Sequence, residues 1–391
     1  MNIPETIPGK SITPVTRLAF MAVATVFFAG IAGCSGGDNA TATYTPEQKA
    51  PFQELYDQGI DRYLGKYTPM LAETEGDVVT HTFGKGDGPL CLFGKEYRMA
   101  TRDMGSRELM IVLRGGGSCT SQSCFLAFPA GEAGIPKLGI LDPERNGNPV
   151  AAWNTAYLPY CDGGLFVSDV DTDSDGDGQI DRFQRGLHNL SAALDVVAST
   201  FPSPSRILLS GVSAGGFGAS FALPLVRKLY PDVPIDLIND SGIGLFNPDE
   251  PQAVAETFKE WNAAAFFPAS CTSCIGPAGY LTDFHKWELG QDANFRLGML
   301  SFNHDQRISK GYGGYDTNEE FELALEAVLS DIETAYPERM HSFTPDGLAH
   351  TFLLDGLDIR NALDVTAGGV SAMDWITAML NDSPDWVSVG D

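Results

Sequence analysis

The chain has 391 residues, 43% hydrophobic and 19% charged, the profile of a globular protein with a sizeable core rather than a disordered or repeat chain. Acidic residues outnumber basic ones 51 to 25, for a formal net charge of −26. A surface this negative repels phosphate backbones, so no nucleic acid is expected as a partner, and a polyanionic substrate needs locally placed cations.

The N-terminus reads as a targeting segment. Lys10 and Arg17 precede LAFMAVATVFFAGIAGC, an apolar run shorter than the roughly 20 residues of a membrane-spanning helix. Its end, IAGC, resembles the bacterial lipobox: an apolar residue, two small ones and a cysteine. That resemblance implies cleavage before Cys34 and lipid on its sulfur and new amino terminus; an ordinary secretory signal or a short anchor helix is the alternative. Ser35, rather than Asp, follows it and favours the outer membrane, so the cell envelope is the expected location. Residues 1–33 are then a signal peptide and residues 34–51 a polar, aperiodic tether. Residues 52–391 are read as a single catalytic domain, with a short helical preface around 48–64.

Strand-like and helix-like segments alternate through that domain. LMIVLR (109–114), TAYLP (155–159), RILLS (206–210), PIDLIN (234–239), FRLGMLSF (295–302) and RMHSFT (339–344) read as strands. Several lack polar alternation, as strands do when both faces of a sheet are covered. Helical patterns span 186–200, 215–229, 250–265, 318–336 and 368–380. The alternation predicts an α/β domain with a mainly parallel sheet flanked by helices.

Besides Cys34 there are six cysteines: Cys91, Cys119, Cys124, Cys161, Cys271 and Cys274. An even number in an exported chain points to disulfides. Cys119 and Cys124, and Cys271 and Cys274, are close enough to pair locally, leaving Cys91 for Cys161. The CTSC spacing of Cys271 and Cys274 also fits a redox or zinc pair. No second CxxC and no nearby histidine set supports zinc, so a structural disulfide is favoured.

The aspartate-rich stretch DVDTDSDGDGQIDR places Asp173, Asp175, Asp177 and Asp181 in DxDxDGxxD, with Gly178 for the sharp turn. Alternate carboxylates of this kind converge on a hard cation, so a structural Ca²⁺ held by Asp173, Asp175, Asp177, Gln179 and Asp181 is the expected ion. Gln184 occupies the twelfth position, where such loops carry a carboxylate, which predicts weak binding or a further ligand from elsewhere. A solvated acidic loop is the alternative.

The chemistry-bearing signal is ILLSGVSAGGFG, in which Gly211-Val212-Ser213-Ala214-Gly215 matches GxSxG between a strand and a helix. A sharp turn there exposes the serine hydroxyl at the sheet's edge, and its neighbours must be small for the chains to pass. The segment lacks the Lys-Ser/Thr of a phosphate loop and does not complete GxGxxG. Upstream, Gly115-Gly116-Gly117 directly follows an apolar strand, as an oxyanion loop does. When the nucleophile is followed by an acid and then a histidine, His350, after the last strand, is the expected base. His285, His304 and His341 are the other downstream histidines. The acid is expected after the preceding strand, which selects Asp305, with Asp240 in INDSGIG as its rival. No cofactor is required by this chemistry.

Taken together, PLCLFG, VLRGGGSC, YLPYCDGG, GVSAGGFG, NDSG and FTPDGLAH resemble the ordered motifs of the pectin acetylesterase and Notum family, from Pro89 to DWITAML. The resemblance implies an α/β-hydrolase-like fold and a Ser213, Asp305 and His350 triad. It also implies oxyanion donors at Gly116, Gly117 and Ala214, and disulfides Cys119–Cys124 and Cys91–Cys161. The sequence departs from the family at Gly117, where an aromatic is usual, at Arg114, where Glu is usual, and at Leu348, which replaces a cysteine. The expected activity is extracytoplasmic serine carboxylic-ester hydrolysis, removing short acyl groups, acetyl above all, from polysaccharide or related esters, with fatty-acyl esters left open by the Notum branch of the resemblance. The alternative is a non-catalytic surface lipoprotein that binds glycans or partners through its calcium loop.

Overall fold

Neighbouring residues on the central strands enter two different cores, which is why their sequences show no polar alternation. Leu109, Ile111 and Leu113 pack into one buried cluster, while Met110 and Val112 pack into the other. Side chains alternate across a strand, so a sheet covered on both faces needs apolar residues at every position. The computed structural model describes residues 50–84, 86–247, 251–275, 281–355 and 359–391. The expected signal peptide, Cys34 and most of the expected tether lie outside the described residues.

Among the described residues the main sheet has ten strands. They are β1 Leu71–Glu75, β2 Val78–Thr82, β3 Arg98–Arg102, β4 Glu108–Leu113, β5 Asn154–Leu158, β6 Arg206–Val212, β7 Ile235–Asp240, β8 Phe295–Leu300, β9 Met340–Thr344 and β10 Val389–Gly390. Their spatial order is β1-β2-β3-β5-β4-β6-β7-β8-β9-β10. From β5 to β10 every pairing is parallel. The pairings β1–β2, β2–β3 and β3–β5 are antiparallel.

The helices are α1 Gln53–Asp57, α2 Gly186–Thr200, α3 Ala214–Leu229, α4 Pro251–Glu260, α5 Leu281–Gln291, α6 Asn318–Ala335 and α7 Ala372–Leu380. Leu190 of α2, Leu223 of α3, Phe284 of α5 and Leu325 of α6 join the first core. Trp375 and Ile376 of α7 join the second, with Phe352 and Leu353 from the loop after β9. The result is the mainly parallel, helix-flanked sheet that the strand and helix pattern predicts. α6 begins with a capping box, in which the Thr317 side chain accepts from the Glu320 amide and the Glu320 side chain accepts from the Thr317 amide.

The helical preface expected around 48–64 is, among the described residues, helical only at Gln53–Asp57 and continues as turns, and three further features differ from the sequence expectation. The antiparallel extension β1–β3 lies outside it, because those residues are largely polar and β1 is exposed on both faces. The helical pattern over 250–265 ends at Glu260, with a separate turn at Ala264–Phe266. α5 is the third, a helix whose sequence, LTDFHKWELGQ, buries polar residues, His285 and Glu288, beside its apolar ones.

The cysteines pair as Cys91–Cys161, Cys119–Cys124 and Cys271–Cys274. Bonding between Cys271 and Cys274 leaves neither thiolate for zinc.

Candidate active site

At the end of β6 the chain turns abruptly into α3. Ser213 occupies φ 54°, ψ −122°, a conformation disfavoured for any residue with a side chain. Its neighbours explain how the turn closes. A β-carbon on Gly211 would overlap the Gly215 carbonyl, and one on Gly215 would overlap the Leu113 carbonyl of β4. The bend is pinned on both sides. The Ser213 amide donates to the Asp240 carbonyl at 2.7 Å, and the Ser213 carbonyl accepts from the Gly216 amide at 2.8 Å. Ser213 is thereby held partly exposed at the N-terminal end of α3, where the helix dipole favours developing negative charge.

The glycine triplet passes directly beside this serine. A β-carbon on Gly115 would stand 2.7 Å from the Ser213 β-carbon, so only glycine lets the loop run so close. Gly117 has φ +100°, in the region that favours glycine. Gly116 and Gly117 line the same cavity as Ser213. Ala214 is the first residue of α3, immediately after Ser213.

His350 lies in the loop after β9 and faces that cavity too. Its Nδ1 is 2.7 Å from Oδ2 of Asp305, which has no exposed surface. The other Asp305 oxygen accepts from the backbone amides of Arg307 at 3.0 Å and Ile308 at 3.1 Å. The carboxylate is therefore fixed from both sides, and it holds the imidazole so that Nε2 is the remaining ring nitrogen. Asp305 follows β8, as the motif order expects.

The rival acid, Asp240, spends its carboxylate on backbone amides rather than on the imidazole. Its Oδ2 accepts from the amides of Phe352 and Leu353, both at 2.7 Å. The other downstream histidines serve elsewhere. His304 Nε2 lies 2.9 Å from Glu322, and His341 Nδ1 lies 2.9 Å from Glu333. His285 is buried beside Glu288, and that burial pushes it down to about 4.

The cavity measures about 570 Å³. Its walls are largely apolar: Phe125, Phe128, Phe217, Phe258, Trp261 and Tyr312 contribute. These aromatics come from the loop after β4, from α3, from α4 and the turn after it, and from the helical segment Arg307–Tyr312. No sequence signal singles them out, because most lie in segments without a motif and only the fold converges them. Arg114 also lines the cavity, but it is engaged: it pairs with Glu132, donates to the Tyr157 hydroxyl at 2.9 Å and stacks 3.8 Å over the Phe128 ring.

The aspartate-rich loop joins the short ribbon strands Val170–Thr172 and Arg182–Gln184. Carboxylate oxygens of Asp173, Asp175 and Asp177 come within 4.8 Å of one another. Gly178 makes the turn at φ +91°, and its amide donates to Asp173 at 2.8 Å. Asp181 stands outside this trio, accepting from the Ser174 amide and hydroxyl at 2.8 and 2.6 Å. The Gln179 amide donates to Asp177 at 2.8 Å.

Two comparisons bear on this arrangement. The Pectinacetylesterase family model matches residues 85–278. Among solved structures, the chain is similar to the Wnt deacylase Notum from Drosophila, with a TM-score of 0.60 at 18% sequence identity. That similarity covers 79% of this chain and 95% of the Notum chain, and it extends the shared fold well beyond the segment that the family model spans.

Proposed function

Over residues 85–278 the chain belongs to the pectinacetylesterase family, and from that premise we propose that it is a serine carboxylic-ester hydrolase. Ser213 Oγ attacks the ester carbonyl while His350 Nε2 takes its proton, the imidazole being oriented through Nδ1 by Asp305. The amides of Gly116, Gly117 and Ala214 receive the oxyanion, each donor being worth about 2.7–4 kcal/mol. Collapse breaks the ester C–O bond, and the alcohol leaves with the proton from Nε2. Water, deprotonated by the same nitrogen, then attacks the acyl-serine and releases the carboxylic acid. The observation that carries this reading is the 2.7 Å contact of His350 with buried Asp305, in the wall of the cavity that Ser213 shares.

The family's name points to acetyl groups on polysaccharide, and Notum is described as a deacylase. A cavity of about 570 Å³ with aromatic walls has room for far more than an acetyl group, which favours longer apolar acyl chains as a second reading. Hydrolysis of acetylated glycans and of nitrophenyl esters of graded chain length, by wild type and Ser213→Ala, tests both. We expect turnover by wild type, its near-complete loss in the variant, and a rate profile that identifies the acyl group. Equal rates for the two proteins would discard the esterase and leave a non-catalytic binding protein. We also propose that lipid on Cys34 holds the enzyme on the outer membrane. Membrane fractionation of Cys34→Ser tests this, release of the variant being expected and retention contradicting it.

A further inference from the structure

We propose that Asp240 is a positioning residue of this site, tying the backbone of the nucleophile to the loop that carries the general base. The inference rests on the serine-esterase reading above.

Asp240 is the last residue of β7 and is wholly buried. Its main-chain carbonyl accepts from the Ser213 amide at 2.7 Å. Its side chain reaches the other way, with Oδ2 accepting from the Phe352 and Leu353 amides at 2.7 Å each. Those amides lie two and three residues beyond His350. Between them and His350, Thr351 stands at φ 69°, a left-handed conformation that a β-branched residue avoids. The two hydrogen bonds to one carboxylate oxygen are what hold this unfavourable turn. One side chain thus fixes the register of His350 against the bend at Ser213, while Asp305 fixes only the rotation of the imidazole ring.

The local chemistry makes this tie responsive to protons. Among the described residues no lysine or arginine pairs with Asp240, and its Oδ1 accepts from the neighbouring Ser241 hydroxyl at 3.3 Å. Burial pushes its carboxyl up to about 7, against the Leu353 and Phe352 amides that favour the charged form. Of the charged groups facing it, His350 acts downward and Asp305 upward. Protonation removes the charge that strengthens both amide hydrogen bonds, so the loop is held best above that range. The acid side of the activity profile then contains a second ionisation besides that of His350.

The test is the pH dependence of kcat/KM on an active nitrophenyl ester, for wild type and Asp240→Asn. We expect a wild-type acid limb steeper than one proton, and a one-proton limb in the folded variant. Its kcat should fall by up to about a hundredfold, as a misplacement of the base on the order of 1 Å would cause. KM should stay within about threefold, since substrate binding is untouched. A one-proton wild-type limb overturns the proposal, even where the variant does not fold. So does a folded variant with wild-type kcat. An inactive wild type would instead remove the esterase reading itself.

Discussion

At the scale of single residues, the decisive fact is which carboxylate reaches His350. Asp240 ends β7 and Asp305 lies five residues beyond the end of β8, and both are buried, yet it is Asp305 that hydrogen-bonds the imidazole. Replacing Asp305 by Asn keeps the shape but offers an amide where a negative acceptor is needed, favouring the wrong tautomer. Asp305→Asn should therefore fold normally and lose about 10⁴-fold in kcat on an active ester. Asp240→Asn should lose far less. Comparable losses in the two would contradict the assigned division of labour. Ser213 and His350 were legible in the sequence because GxSxG and chain order depend on a local turn and a local loop. The choice between the two aspartates rests on distances across strands that sequence spacing does not encode, although the motif order favoured Asp305.

At the scale of elements, the parallel strands declared themselves through uninterrupted apolar runs, and α2 through its helical periodicity over 186–200. The extension β1–β3 did not: β1 is exposed, β2 is half-buried, and β3, though buried, buries the polar Thr101 and Arg102 beside Met99 and Ala100. The cavity walls were equally silent, because Phe128, the Phe258–Trp261 pair and Tyr312 come from three separate segments brought together by the fold. The aspartate loop is the opposite case: its pattern was plain, and Asp173, Asp175 and Asp177 do converge. We propose that these carboxylates take a calcium ion, whose charge would relieve their mutual repulsion. Chelation by EDTA should then lower the melting temperature, and added Ca²⁺ should restore it. A melting curve indifferent to both would show that the loop holds its shape through its own amides, such as those of Gly176 and Gly178 on Asp173.

At the scale of the whole molecule, the sheet sets the site. Gly115 to Gly117, Ser213, Asp240, Asp305 and His350 all lie at or beyond the C-terminal ends of parallel strands, so one edge of one sheet gathers the groups of the proposed chemistry. The chain as a whole carries a net charge of −26, and of the two arginines lining the cavity, Arg114 and Arg307, the first is already paired with Glu132. We propose that this overall acidity makes neutral acyl esters better substrates than polyuronate chains. Disulfide Cys91–Cys161 secures the loop before β3 to the loop after β5, near the glycine triplet. Labelling of the folded protein with a fluorophosphonate, followed by peptide mapping, tests whether Ser213 is the nucleophile. One modified peptide is expected, carrying the adduct on Ser213 and absent from Ser213→Ala; a folded protein that stays unlabelled, or is labelled elsewhere, would contradict the proposed nucleophile.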